Sequence, residues 1–306
     1  MTKFVQVLLQ TLTLGSLYAL IALGYTLVYG ILRFINFAHS DVFTFGAWIA
    51  FVIAGALGWA GTGSPVFALP VVMILAMASA AALGFTIERL AYRPLRKAPR
   101  LNVLITAIGV SLLLQNAGQL QLLFGKDPVK MPRLLSEEPL FKLAGVQVPL
   151  VDVALVVLAV VLVIALQWLV YRTKLGQAMR AVSWNEQFAS LMGVPVDRVV
   201  SITFMIGSAL AAAGGVLYGL KYRQLNQTAD ALWVLLGLKA FVAAVVGGIG
   251  NVRGAVVGAV LIAFIEVFGA AYVSSKLPDL FVFGVLIVML MFRPAGLLGT
   301  ATVEKV

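Results

Sequence analysis

The sequence predicts an all-α polytopic membrane protein with eight to nine transmembrane helices. Of its 306 residues, 62% are hydrophobic and only 11% are charged, whereas soluble domains carry about 25% charged residues. The apolar residues are also grouped in stretches of about 20, the length that a helix needs to cross the hydrocarbon core of a bilayer. We therefore expect one membrane domain over residues 1–306 and no soluble domain.

Seven apolar stretches are long enough to span a bilayer. They are residues 5–28, 42–59, 66–87, 101–124, 150–170, 199–220 and 255–273. Two shorter stretches, 237–249 and 280–292, are thin for a full crossing and suit half-helices or tilted ends that neighbouring helices bury. The stretch at the N-terminus is too long for the apolar region of a signal peptide, so we expect it to be retained as the first helix.

Basic residues crowd two short loops, with five Lys or Arg in residues 89–100 and four in residues 172–198. Short loops rich in Lys and Arg face the cytoplasm, so both are predicted to be cytoplasmic. The N-terminus then lies outside, and nine crossings return the C-terminus to the cytoplasm. The external loop 125–149 holds four basic residues and follows the rule only partly. We attribute the net charge of +10 to topology rather than to nucleic-acid binding.

Catalytic chemistry is not indicated. The chain has no cysteine and a single histidine, His39, which excludes thiolate and His-rich metal sites. No G-x-x-x-x-G-K-[ST] motif is present, so we expect no bound cofactor and no ATP site in this chain. Energy for active transport would then come from another subunit or from an ion gradient.

A polar stretch at residues 30–41 interrupts the first two apolar spans. Irregular backbone at membrane depth is tolerated only where protein or a water-filled cavity covers it. We therefore predict that five of these residues line or adjoin a translocation route, although a tight cytoplasmic turn is an equal alternative. The five are Asn36, Phe37, His39, Ser40 and Asp41.

A second break at residues 247–254, which includes Gly248, also follows an inward-going apolar segment and precedes an outward-going one. The two units have the same orientation, so they could be halves of a parallel internal repeat. Broken helices at corresponding places in two halves indicate a transport pathway. A tight turn is again the alternative.

Two ionisable residues, Lys239 and Glu266, fall within apolar stretches at similar depth, about 16–18 Å from the same membrane face. Charged groups at such depth usually pair or face water. We favour a structural pair over a pathway lining.

The loop 172–198 contains a predicted helix of about nine residues. Ser183 and Glu186 form an S-x-x-E capping box, and Gly193 is a suitable C-terminal stop. Such a short helix needs a docking surface. The predicted helix follows Arg180 in the loop, and its apolar face is predicted to bind a protein partner. The alternative is that this helix rests on the lipid surface. The face consists of Trp184, Phe188, Leu191 and Met192.

Several motifs, in order along nearly the whole chain, resemble the permeases of branched-chain (hydrophobic) amino acid ABC importers, of the LivH type. The matching segments are residues 13–30, 35–39, 88–96, 193–194, 197–199, 237–241, 247–250 and 293–299. The chain departs from the family pattern at Ser40-Asp41, usually Gly-Glu, and at Asn226-Gln227, often Asn-Pro. Related permeases move urea, short amides or aromatic acids, so these departures bear on the substrate.

The resemblance implies a multi-pass permease domain in a bacterial inner membrane, paired with a sister permease in a heterodimer. It also implies two cytoplasmic ATPase subunits that bind the ATP, and a periplasmic substrate-binding protein. The loop 172–198 would be the ATPase-coupling segment. The alternative from the residues alone is a self-sufficient secondary transporter or channel, with Glu266, Asp41 or His39 as the ion-coupling group.

Overall fold

The computed structural model describes residues 2–59, 65, 67–96, 98–136 and 139–299. All seven predicted long spans appear in it as helices long and apolar enough to cross a membrane, which confirms the fold class. The two thinner stretches form shorter apolar helices. In chain order the helices are α1 Thr2–Leu32, α2 His39–Ala56, α3 Ala68–Ile87, α4 Arg100–Gly118, α5 Leu150–Arg172, α6 Lys174–Trp184, α7 Glu186–Leu191, α8 Val196–Tyr222, α9 Ala231–Gly247, α10 Val252–Tyr272 and α11 Pro278–Phe292.

α3 continues without a break through a π-helical turn, Glu88–Tyr92, and a short 3-10 turn, Arg93–Leu95. α4 is shorter than predicted and ends at Gly118 rather than near residue 124. Gly118 abuts Thr228, and the chain then returns across the end of α8 through antiparallel pairing of β1 (Val129–Lys130) with β4 (Gln224–Leu225). At this end of α4 the Thr228 hydroxyl donates to the Gln115 carbonyl at 2.7 Å, and residues 119–124 form turns although the apolar pattern continues. Residues 139–149 form a second hairpin, β2 (Pro139–Leu143) with β3 (Val146–Pro149).

α8 and α1 lie at the centre of the helix bundle. Most residues of α8 and of the second half of α1 are buried. In α5 only Leu155, Ala159, Leu166 and Val170 are buried, so this helix lies at the periphery. Small residues allow the close approach: a Cβ on Gly46 would overlap Ala212, and one on Gly84 would overlap Ser208. Small residues of α2, α3 and α8 therefore serve helix packing at these contacts.

Both arginine-rich loops lie at one end of the bundle, which we call the basic end. There the Arg93 and Arg96 side chains bind Asp197, the Arg33 guanidinium donates to the Ser183 carbonyl (3.4 Å), and Gly30 contacts Gly250. At the opposite end the Lys3 Nζ donates to the Ala271 carbonyl (2.9 Å). The structure thus brings together the loops that the charge pattern assigned to one side. Which side of the membrane the basic end faces stays a prediction.

Candidate translocation and coupling sites

The first break lies deep in the bundle and is not a tight turn. α1 ends at Leu32, and the chain reverses at Arg33, whose φ is 54°. α2 begins at His39, whose ring lies 4.7 Å from that of Tyr25 and packs against Gly24. Gly24 lies eight residues before the end of α1, which corresponds to about 12 Å along the helix. Residues 33–38 therefore run back into the protein as irregular, protein-covered backbone.

The polar residues of this break are buried. Asn36, His39, Ser40 and Asp41 are each 6% exposed or less, and Phe37 is half-buried.

Two residues that the sequence analysis did not single out hold the polar groups of this break. The Tyr92 hydroxyl of the π-helical turn donates to Asn36 Oδ1 at 2.6 Å. Gln115 Nε2 of α4 donates to Asp41 Oδ1 at 3.0 Å. Because Gln115 is a polar residue within an apolar span, the sequence could have indicated its contact with Asp41.

The start of α2 is electrostatically matched to Asp41. No side chain caps the helix, and Asp41 lies in its first turn, where a carboxylate is stabilised by the positive end of the helix dipole. Three buried polar atoms at or near this break have no hydrogen-bond partner among the described residues: Thr26 Oγ1, His39 Nε2 and Asp41 Oδ2. Buried polar groups nearly always have a partner. The break therefore retains unused hydrogen-bonding capacity for water or a transported solute.

The second break forms a tight turn in the structure. Gly248 has a φ of 109°, and a Cβ there would overlap the backbone of Gly299. The C-terminal segment covers the turn: Leu298 N donates to Gly247 O (3.0 Å), and Asn251 Nδ2 donates to Leu298 O (2.8 Å). α10 begins directly after the turn, at Val252, so this break lacks the irregular segment of the first. The pairs α1–α2 and α9–α10 nevertheless run in the same direction. Backbone geometry alone accounts for glycine at position 248.

Lys239 and Glu266 form the predicted pair, with Nζ and Oε1 2.7 Å apart. The structure adds two partners. Asp279 Oδ1 lies 2.6 Å from Lys239 Nζ, and the Tyr18 hydroxyl donates to Glu266 Oε2 at 2.6 Å. This cluster links α1, α9, α10 and α11. Because the four residues are far apart in the chain, local sequence pattern could not assemble it.

The predicted helix cap in the coupling loop is wrong. Ser183 belongs to the last turn of α6, and its hydroxyl donates to the Gly30 carbonyl. Asn185 caps α7 instead: its Oδ1 accepts from the Phe188 N–H at 2.9 Å, and Glu186 is the first residue of the helix. α6 continues through Ser183 because it buries Val182 together with Met179. Asn is as strong an N-cap as Ser, so Asn185 was the missed signal.

The stop after α7 is placed as predicted, since Gly193 has a φ of 81° just beyond the helix. The predicted apolar face is uncovered in the single chain. Trp184 is 87% exposed, Phe188 66%, Leu191 81% and Met192 84%. Nearby, the Arg180 guanidinium donates to the Val170 carbonyl and ties α6 to the end of α5.

Polar, re-entrant backbone lies among buried helices, and an apolar helix is uncovered at the basic end. These features define a multi-pass helical membrane protein of the transport class. Among the described residues, no group of three or more His, Cys, Asp or Glu could hold a metal ion. Residues 7–291 match the family described as the permease component of branched-chain amino acid transport systems. The chain belongs to this family.

Curated relatives extend over almost the whole chain. It is 40% identical to BraD, a high-affinity branched-chain amino acid transport permease of Pseudomonas aeruginosa, over 99% of this chain and 98% of that protein. It is 38% identical to the corresponding LivH protein of Escherichia coli, with the same coverage. A probable LivH protein of Methanocaldococcus jannaschii is 27% identical over 93% of this chain and 89% of its own length. No solved structure matches the chain.

Proposed function

We propose that this chain is the membrane permease subunit of a bacterial ABC importer, and that it forms with a sister permease the path for branched-chain or other hydrophobic amino acids. Full-length similarity to BraD and LivH supports the substrate class. The structural observation that supports this path is that α2 begins inside the protein. The polar backbone before α2 can therefore lie at membrane depth, because protein covers it.

In this proposal the route passes the first break. Asn36 and Asp41 are held by Tyr92 and Gln115, and the unpartnered polar atoms beside them can take water or a polar group of the solute. His39 and Ser40 line the same segment, and Phe37 supplies an apolar surface. Gly248 and the Lys239–Glu266 cluster have a structural role in the neighbouring helices. Glu266 does not carry an ion, because Lys239 and Tyr18 already bind its carboxylate. That pairing argues against an ion-coupled transporter that uses Glu266.

Coupling to ATP is assigned to α7. Its exposed apolar face suits a groove in a protein partner, since amphipathic helices bind in this way. We infer two cytoplasmic ATPase subunits at the basic end, which then faces the cytoplasm, and a periplasmic binding protein at the opposite end beside the external loop 125–149. The N-terminus would be periplasmic and the C-terminus cytoplasmic, in the inner membrane.

Reconstitution tests the function. The chain is co-purified with a sister permease and ATPases, inserted into liposomes, and given binding protein loaded with labelled leucine, or with labelled urea as a second arm. We expect ATP-dependent leucine accumulation that an ATPase variant unable to hydrolyse ATP abolishes. Uptake by this chain alone, driven by an ion gradient, would instead establish the secondary-transporter alternative. Accumulation of urea but not leucine would refute the substrate class.

A further inference from the structure

A groove of about 1280 Å³ opens at the basic end between the π-helical turn that extends α3, the length of α7 and the start of α8. Arg89 of the π-helical turn and Arg198 of the first turn of α8 lie on its rim. Farther along the two membrane-spanning helices the lining becomes apolar, with Phe85 from α3 and Ile202 and Met205 from α8. The groove thus joins an arginine-bearing rim to an apolar slot between two spans.

Two arginines of the groove are already neutralised. Asp197 binds both Arg93 and Arg96, the latter at 2.7 Å. The fully buried Glu88 also binds Arg96 and accepts a hydrogen bond from the Ser201 hydroxyl at 2.6 Å. Two carboxylates therefore balance two guanidinium groups, and this network fixes the wall where the π-helical turn meets α8.

The other two arginines are free to bind an anion. Arg89 and Arg198 are exposed, and neither forms an ion pair within the part of the chain that the structure describes. The further carboxylate in the lining is Glu186, the first residue of α7. Four arginines against Glu88, Asp197 and Glu186 leave one positive charge in excess, concentrated between Arg89 and Arg198.

We propose that this groove binds an anionic phospholipid, with the phosphate held by Arg89 and Arg198 and an acyl chain along Phe85, Ile202 and Met205. Guanidinium groups bind phosphate through paired hydrogen bonds, and basic pockets between membrane helices at their cytoplasmic ends suit anionic headgroups. The apolar slot matches a lipid tail and would serve no purpose for a free phosphate.

The groove borders the surface assigned to the ATPase, because Glu186, Gln187, Ser190 and Leu191 of α7 form one of its walls. Of the four exposed apolar residues of the coupling loop, only Leu191 lines the groove; Trp184, Phe188 and Met192 do not. An ATPase subunit docked on those three residues would leave the rim of Arg89 and Arg198 open to lipid. The inference requires only that the chain lies in a membrane, so it does not depend on the transported solute.

Native mass spectrometry of the full chain in neutral detergent tests the proposal, with phosphatidylglycerol or phosphatidylcholine added in steps. The Arg89→Ala/Arg198→Ala variant is compared with Arg172→Ala/Lys174→Ala, which removes two other exposed charges of the basic end. We expect the native chain to prefer phosphatidylglycerol. The groove variant should bind it about 25-fold more weakly, at about fivefold per arginine, and the control should change by less than about twofold.

An Arg89→Lys/Arg198→Lys variant keeps both charges and should retain most of the preference for phosphatidylglycerol. Unchanged thermal stability of all variants shows that the loss is not caused by misfolding. Equal losses in the groove and control variants would overturn the proposal in favour of diffuse surface charge. Equal binding of the two lipids by the native chain would also overturn it, as would release of bound phosphatidylglycerol when the ATPase subunits associate, because the groove would then belong to the partner.

Discussion

The buried charge cluster around Lys239 predicts an asymmetric response to removing its members. Lys239 is the only cation in the cluster, and its side chain is 9% exposed. Replacement by Met would leave the carboxylates of Glu266 and Asp279, both of which contact the same ammonium group, facing each other without a counter-charge. Breaking a buried ion pair by removing one partner costs about 3–5 kcal/mol. Lys239→Met should therefore be strongly destabilising.

Glu266→Gln should cost much less. Lys239 keeps Asp279 at 2.6 Å, and the amide oxygen of the substituted side chain can still accept the Tyr18 hydroxyl. The loss is then close to that of one hydrogen-bonded ion pair, about 1–2 kcal/mol. Asp279→Asn is the matched control, because the Asp279 side chain is 47% exposed and partly exposed pairs contribute about 0–1 kcal/mol.

The assay is thermal unfolding in mild detergent, followed by intrinsic tryptophan fluorescence. At roughly 2–4 °C per kcal/mol, Lys239→Met should lower the midpoint by about 6–20 °C, Glu266→Gln by about 2–8 °C and Asp279→Asn by less than both. The double variant Lys239→Met/Glu266→Gln should be more stable than Lys239→Met alone, because one unpaired carboxylate is removed. Equal shifts for the Lys239 and Glu266 variants, or further destabilisation in the double variant, would refute the electrostatic argument.

Three further predictions concern topology, coupling and the pathway. A cysteine at Lys174 should resist membrane-impermeant thiol reagents in intact cells while one at Lys142 reacts; the reverse pattern would invert the orientation. Lys97, an equivalent cytoplasmic position, lies outside the described residues. Leu191→Asp should leave membrane insertion intact but reduce ATPase co-purification by at least tenfold, a loss of about 1.4 kcal/mol or more; unchanged association would favour an interfacial helix. Asp41→Asn should reduce uptake at least tenfold without loss of the assembled complex, as measured by transport and gel filtration, and wild-type uptake would remove Asp41 from the route.

The helical spans could be read directly from the sequence because in lipid the backbone must satisfy its own hydrogen bonds. A run of about 20 apolar residues is then nearly always a helix, and seven of them were found at the predicted places. The pairing of Lys239 with Glu266 was also accessible, since both had to lie at one depth and neither tolerates isolation in an apolar environment.

Local pattern was less reliable at helix ends. The sequence Ser183-Trp184-Asn185-Glu186 contains two residues that can cap a helix, and only the burial of Met179 and Val182 extends α6 past the first of them. Similarly, α4 ends at Gly118 within an apolar run, where Thr228 packs against the last turn and its hydroxyl donates to the Gln115 carbonyl. In both places packing contacts decided between conformations of nearly equal local preference.

The sequence by itself determined that this is a multi-pass membrane protein, that its basic loops share one end, and which stretches interrupt its helices. Those properties follow from one-dimensional rules of apolar length and charge. Only the tertiary structure decided that the first break re-enters the bundle and the second is a tight turn, because the two differ in what covers them. Tyr25 and Tyr92 surround the first, whereas the segment ending at Gly299 closes the second. Contacts between residues far apart in the chain carry that difference, and no local pattern encodes it.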